Sequence, residues 1–259
     1  MQRGDRALFD LQKANLLKRF TAFLLDGILL GILVVGVGCL LSLLLGYDAK
    51  YTALTDLYTK YEAEYGISLS ITQDEYEAMD PDSRANYEQA YNALNGDEHT
   101  QLALAQVMQL SILIVTFSFL ISYLILEYMV PLLFKNGQTL GKKIFGLAVM
   151  RSDGVRITPL LLLVRTLLGK FTLETMVPVL IAFLLVFGGI GFTGTLVLVG
   201  MLILQAVLIF GTKAHTPLHE VLSHTVTVDY ASQMIFDTPA DMIRYKEEYA
   251  AKKAIRDPY

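Results

Sequence analysis

The stretch Arg19-Phe-Thr-Ala-Phe-Leu-Leu-Asp26, running on through apolar residues to Leu45, constrains the fold more than any other part of the chain. About 20 consecutive apolar residues suffice to cross the hydrocarbon core of a bilayer, so Phe20–Leu45 predicts a transmembrane helix. One carboxylate interrupts it. Asp26 follows Arg19 by seven positions, close to two helical turns, which puts both side chains on one face roughly 10 Å apart along the axis. A carboxylate inside such a span costs about 2.5–3.5 kcal/mol on insertion scales. Asp26 therefore requires a partner or water.

Hydrophobic residues make up 54% of the 259, too many for an ordinary soluble domain, and the charges are unevenly spread, so the class is an integral membrane protein. The first 19 residues are too long and too mixed in charge for a cleavable leader, and Phe20–Leu45 is read as a retained first span. Three further apolar runs follow: a second span over 102–126, a short third over about 175–186, and a fourth over about 195–210. Residues 157–171 are also apolar but contain Arg165 and Lys170. That stretch is read as an interfacial or re-entrant helix starting at Thr158-Pro159. Gly188-Gly189-Ile-Gly191 predicts the turn between spans three and four.

Lysine and arginine counts orient the chain. The segment 1–19 carries five, residues 127–156 carry five, and the tail after residue 211 carries six, against three in 46–101 and none in 187–194. Four spans with both termini in the cytoplasm satisfy this distribution. The expected organisation is a cytoplasmic segment 1–19, transmembrane helix 20–45, an acidic extracytoplasmic insert 46–101, transmembrane helix 102–126, a cytoplasmic β-hairpin and interfacial helix over 127–173, transmembrane helices within 174–211, and a cytoplasmic segment 212–259. The fold class is thus an all-α integral membrane helical bundle with a helical insert and a small cytoplasmic β-hairpin.

The insert holds twelve acidic residues against Lys50, Lys60 and Arg84, and eight tyrosines. Thr72-Gln-Asp-Glu75 has the capping-box pattern, Asp80-Pro81 places an N-cap before a proline at the first helical position, and Asn95-Gly96 reads as a stop. Short amphipathic helices are expected, either as a solvated hairpin or as a cation-attracting cap that binds a partner. Lys143–Arg151, a Ser-Asp-Gly turn and Val155–Thr158 have the form of a hairpin, and Thr225–Asp229 alternates as a further strand. The tail from Thr238-Pro239 reads as an amphipathic helix. Gly27 and Gly31 form a G-x-x-x-G face suited to close helix contact, pointing to a homo-oligomer or a membrane-protein partner within the lipid bilayer. Cys39 is the only cysteine, so an intrachain disulfide is excluded.

With the motifs placed, the chain resembles the RDD family of membrane proteins. Arg19-Phe-Thr-Ala-Phe-Leu-Leu-Asp26 is similar to that family's Arg-x-x-Ala-x-x-x-Asp opening, and Gly137-Gln138-Thr139-Leu-Gly141-Lys142 to its second signature turn. Arg165 and His219-Glu220 resemble later elements, with Glu220 where the family has an aspartate. The resemblance covers about 16–45 and 102–229. It implies a multi-span bundle in which transport, including cation/proton exchange, has been suspected.

Arg19, Asp26, Arg165 and Glu220 are expected as one charged intramembrane cluster, serving as an ion-pair clasp, a proton or cation relay, or a lipid-phosphate site. His219 is a candidate proton acceptor beside Glu220. Gly137–Lys143 is not a phosphate loop, because its glycines are four apart and Lys143 stands where Ser or Thr belongs. His215, His219 and His224 lack the spacing of a helical metal site. No nucleophilic triad, cofactor motif or nucleic-acid stripe stands out, and no enzyme activity is expected. The expected function is a transporter or transporter subunit for a monovalent cation or other small solute coupled to protons, located in the cell membrane. The alternative is a non-transporting scaffold that binds a partner through 46–101.

Overall fold

A computed structural model describes residues 11–12, 14–186, 191–212 and 215–256. The expected turn at Gly188-Gly189 and the basic residues Arg3, Arg6 and Lys13 lie outside them. In chain order the elements are α1 (Leu16–Leu45), α2 (Tyr47–Tyr65), α3 (Gln73–Ala78), α4 (Pro81–Gly96), α5 (Glu98–Phe134), α6 (Leu140–Ile144), β1 (Leu147–Arg151), α7 (Pro159–Leu185), α8 (Gly191–Gly211), α9 (Leu218–Leu222), β2 (Thr225–Asp229) and α10 (Pro239–Arg256). Among the described residues α1, α5, α7 and α8 are long and apolar enough to cross a membrane. The protein is an all-α membrane bundle with a small antiparallel sheet.

The chain divides into two compact units, Val35–Ser118 and the remainder. In the first, Gly46 takes a left-handed conformation (φ 66°), which a glycine adopts at little cost, and separates α1 from α2. Gly66 closes α2 in the same way, its N–H donating to Glu62 O. Thr72 and Glu75 form the expected capping box, and the Asp80 carboxylate accepts from the N–H groups of Asp82 and Ser83 ahead of Pro81. Leu69, Ala90 and Leu94 form the core of this region, covered by Tyr58, Tyr61, Tyr65, Ile67 and Tyr87. Four of the insert's tyrosines are thereby accounted for as packing residues.

In the second unit, two helices depart from regular α geometry. Leu124–Met129 within α5 and Arg165–Met176 within α7 are π-helical, and each widened segment ends two residues before a proline, Pro131 and Pro178. Proline lacks the N–H that residue i−4 would receive, so the carbonyl of Glu127 loses its helical donor at Pro131. Thr166 Oγ1 of α7 donates to that carbonyl instead, at 2.9 Å. The interfacial helix and short third span expected over 157–186 are a single continuous helix, α7. Arg165 and Lys170 do not end it because each meets an acid from another element.

The expected sheet is present, but its strands are far apart in sequence. β1 pairs with β2 in antiparallel register from Leu147↔Asp229 to Arg151↔Thr225, whereas the 155–158 segment supplies only a bridge between Met150 and Arg156. Strand alternation sorts the sheet into two faces. Ala148, Met150, Val226 and Val228 bury one, against Ile235, while Leu147 packs with Ala14 and Ala22, and Val149 with Ile157 and Leu162. Thr225 and Thr227 share this second face.

Gly27 and Gly31 have open surroundings, since a Cβ on either meets nothing within 4 Å. In the insert, Leu94 is fully buried, and Leu94→Ala should destabilise it by about 2–5 kcal/mol. Thermal unfolding followed by circular dichroism should show a lower-temperature transition in that variant.

Candidate functional site

Two buried charge networks occupy the second unit. The first joins α1, α7, α9 and β2. Glu220, only 1% exposed, accepts from Arg19 NH2 at 2.9 Å and from Arg165 NH2 at 3.2 Å, and from the Thr227 hydroxyl. Arg165, 3% exposed, also donates from NH1 to Thr225 Oγ1 at 2.6 Å. Its NH2 lies 3.1 Å from His219 Nε2, and His219 Nδ1 lies 2.8 Å from Glu174 Oε2. Arginine can only donate, so Nε2 accepts, and Nδ1 carries the proton that it gives to Glu174. His219 is therefore neutral in this arrangement. Glu174 also accepts from the His219 backbone N–H at 3.0 Å, which fixes the start of α9 against α7. The approach is close: a Cβ on Gly169 would come 2.5 Å from His219 Cβ.

Burial lowers the His219 pKa to about 4, Arg165 lowers it further, and Glu174 opposes the shift. Burial alone would raise Glu220, but Arg165 and then Arg19 outweigh it and hold the carboxyl at about 2.

The second network contains Asp26, and Arg19 is not one of its partners. Asp26 Oδ2 accepts from Thr139 Oγ1 at 2.5 Å, Oδ1 accepts from the Gly141 N–H at 2.7 Å, and Lys142 Nζ lies 3.8 Å away. Each residue of the Gly137–Lys142 turn has a physical reason. Gly137 (φ 61°) is crowded by Ile157 and Val149. Gln138 Nε2 donates to Leu147 O at 2.6 Å and so ties the turn to β1. Thr139 caps α6. A Cβ on Gly141 would sit 2.4 Å from Ala22 O and 2.9 Å from the Asp26 carboxyl carbon, so only glycine lets this backbone reach α1. Asp26 shares a narrow crevice with Glu127, lined also by Leu29, Leu30, Leu126 and Leu140. Glu127 Oε1 pairs with Lys170 Nζ at 2.5 Å. Burial and Lys170 lower the Lys142 pKa to about 8, while Glu127 and Asp26 act to raise it.

The Arg19–Asp26 opening, the glycine turn and the Arg165 and Glu220 positions all lie in one folded unit. The RDD family profile matches residues 13–224. The chain belongs to the RDD family. No curated protein and no solved structure matches it.

In this RDD protein the structure brings Arg19, Arg165, Glu220 and His219 together and sets Asp26 on the signature turn with Thr139, Gly141 and Lys142. Glu127, Lys170, Glu174, Thr225 and Thr227 escaped the sequence reading as members of the networks. Their signal was present: acids and bases inside apolar helices need partners, and Thr-x-Thr on an alternating strand aims two hydroxyls at one face. Among the described residues no group of His, Cys, Asp and Glu side chains is arranged to hold a metal.

Arg165→Ala would leave Glu220 short of its most buried partner and should destabilise the protein by about 3–5 kcal/mol. Arg19→Ala should cost less, because Arg165 remains on Glu220. Gly141→Ala and Gly169→Ala should each lower the thermal midpoint, by an overpacking penalty of about 1–3 kcal/mol. His219 has a folded pKa below its ordinary 6.5, so the unfolded chain takes up its proton first on acidification. The stability it contributes is complete above pH 6.5 and is lost as the pH falls toward 4. Glu220 adds a loss below pH 4.5, continuing through about 2. Melting curves between pH 7 and 4 should show a falling midpoint, and His219→Gln should flatten that slope.

Proposed function

We propose that this RDD family protein is a membrane transporter, or a transporter subunit, that exchanges a monovalent cation or other small solute for protons. The observation that carries the reading is the Asp26–Lys142–Glu127 arrangement: a buried ammonium among carboxylates from two apolar helices, which themselves line a crevice too narrow to hold a water. A lysine whose pKa lies near 8 can release and regain a proton at ordinary pH, and intramembrane ionisable groups commonly mark ion or proton paths. The Arg19–Glu220–Arg165 network then acts as the static clasp against which the exchanging pair works. Basic-residue counts support placing the protein in the cell membrane with both termini in the cytoplasm and the acidic insert outside, where it would concentrate cations. On this reading the chain is not an enzyme.

A second reading, a non-transporting scaffold that binds a partner through 46–101, is favoured by the completeness of the pairing. Asp26, Glu127, Glu174 and Glu220 each already meet a basic group. The open Gly27/Gly31 face would serve a homo-oligomer in either case.

Purified protein in proteoliposomes containing a pH-sensitive dye separates the two. Solute-driven proton movement is expected from the wild type and should be lost in Asp26→Asn and in Lys142→Met. Absence of proton movement with every monovalent cation tested, together with a partner captured through residues 46–101, would establish the scaffold instead.

A further inference from the structure

We propose that the insert carries a binding site for a small organic ammonium ion, in the cleft between the start of α3 and the middle of α4. The cleft has a volume of about 410 Å³ and is lined by Tyr76, Tyr87 and Tyr91, with Glu88, Gln73 and Asn92 among its polar groups. Ligand sites typically measure about 300–1,000 Å³, so a small solute fits. The assignment is independent of the intramembrane networks and of the transport reading.

The three lining rings form a contiguous cluster. Tyr76 and Tyr87 lie 5.4 Å apart at an interplanar angle of 60°, and Tyr87 and Tyr91 lie 6.1 Å apart at 12°. The tilted pair and the parallel pair form one aromatic cluster on the wall of the cleft. The negative ring faces attract a cation, and two or three such faces around one site are the usual receptor for alkylated ammonium groups. The Arg84 guanidinium carbon stands 5.2 Å from the Tyr76 ring centre, so that ring already holds a cation, and Tyr87 and Tyr91 supply the ring area left for a ligand.

A carboxylate completes the site. Glu88 Oε1 accepts from the Tyr76 hydroxyl at 2.8 Å, which orients the carboxylate toward the ring it serves. No Lys, Arg or His lines the cleft. Its one formal charge is negative, and the surrounding insert carries twelve acidic residues against three basic ones. Anionic ligands are thus repelled and cations concentrated. Aromatic faces favour an ion whose charge is spread over alkyl groups and which gives up its water at little cost. An alkali cation keeps a tightly held hydration shell and needs several oxygen ligands, which three phenol rings and one carboxylate do not provide.

Isothermal titration of the full-length protein in detergent with choline chloride provides the test, with sodium chloride and choline's neutral carbon isostere as controls. Choline should bind saturably, about tenfold or more tightly than the isostere, and sodium should produce no saturable signal. Tyr91 is 48% exposed and Glu88 is exposed, so Tyr91→Ala and Glu88→Gln leave the Leu69–Ala90–Leu94 core intact. Each should weaken choline binding by about tenfold. Absence of saturable choline binding to the wild type overturns the proposal, as does equal binding of the isostere or an unchanged affinity in both variants. The isostere comparison uses only wild-type protein and decides the matter even where a variant misfolds.

Discussion

A charge removed from water must be met by an opposite charge and by hydrogen bonds, or its helix will not remain in an apolar bundle. That requirement organises the second unit of this protein. Glu220 binds two arginines from different helices, Glu174 takes the side chain and backbone of His219, Asp26 takes a hydroxyl, a backbone N–H and an ammonium, and Glu127 takes Lys170. The contacts connect elements distant in sequence, so compensating the charges also fixes the tertiary arrangement. Buried ion pairs often contribute little net stability compared with apolar packing. Their value here lies in specifying which helices meet and in which register.

The signature turn illustrates how short-range chemistry serves that long-range end. Gly141 can bring its N–H to Asp26 only because it has no side chain, and Thr139 both caps α6 and donates to the same carboxylate. Gln138 holds the other end of the turn to β1. The turn is therefore a clamp between α1 and the sheet, built from two side chains and one main-chain N–H. A phosphate cradle would need its amide hydrogens free, whereas the Gly141 amide is already committed to a carboxylate.

The spans, the insert's caps and the signature positions were legible in the sequence because they depend on local rules: apolar length, N-cap chemistry and glycine spacing. Partner choice was not legible. Arg19 and Asp26 share a helix face, which suggested that they pair, yet each finds a better partner elsewhere. Arg165 and Lys170 made α7 look too polar to continue, because Glu220 and Glu127, which neutralise them, stand 55 and 43 positions away. The Ser152-Asp153-Gly154 turn suggested a local hairpin, but β1 has its full ladder with β2, whose threonines are needed against Arg165 and Glu220. In each case a long-range electrostatic demand outweighed the local pattern.

Pro131 has a mechanical consequence. By leaving the Glu127 carbonyl without a helical donor, it makes that residue dependent on Thr166 through its backbone and on Lys170 through its side chain. Thr166 and Lys170 lie four positions apart on one stripe of α7, so one residue of α5 is held by two residues of α7, through its main chain and its side chain. The proline thus turns a lost helical hydrogen bond into a tie between α5 and α7.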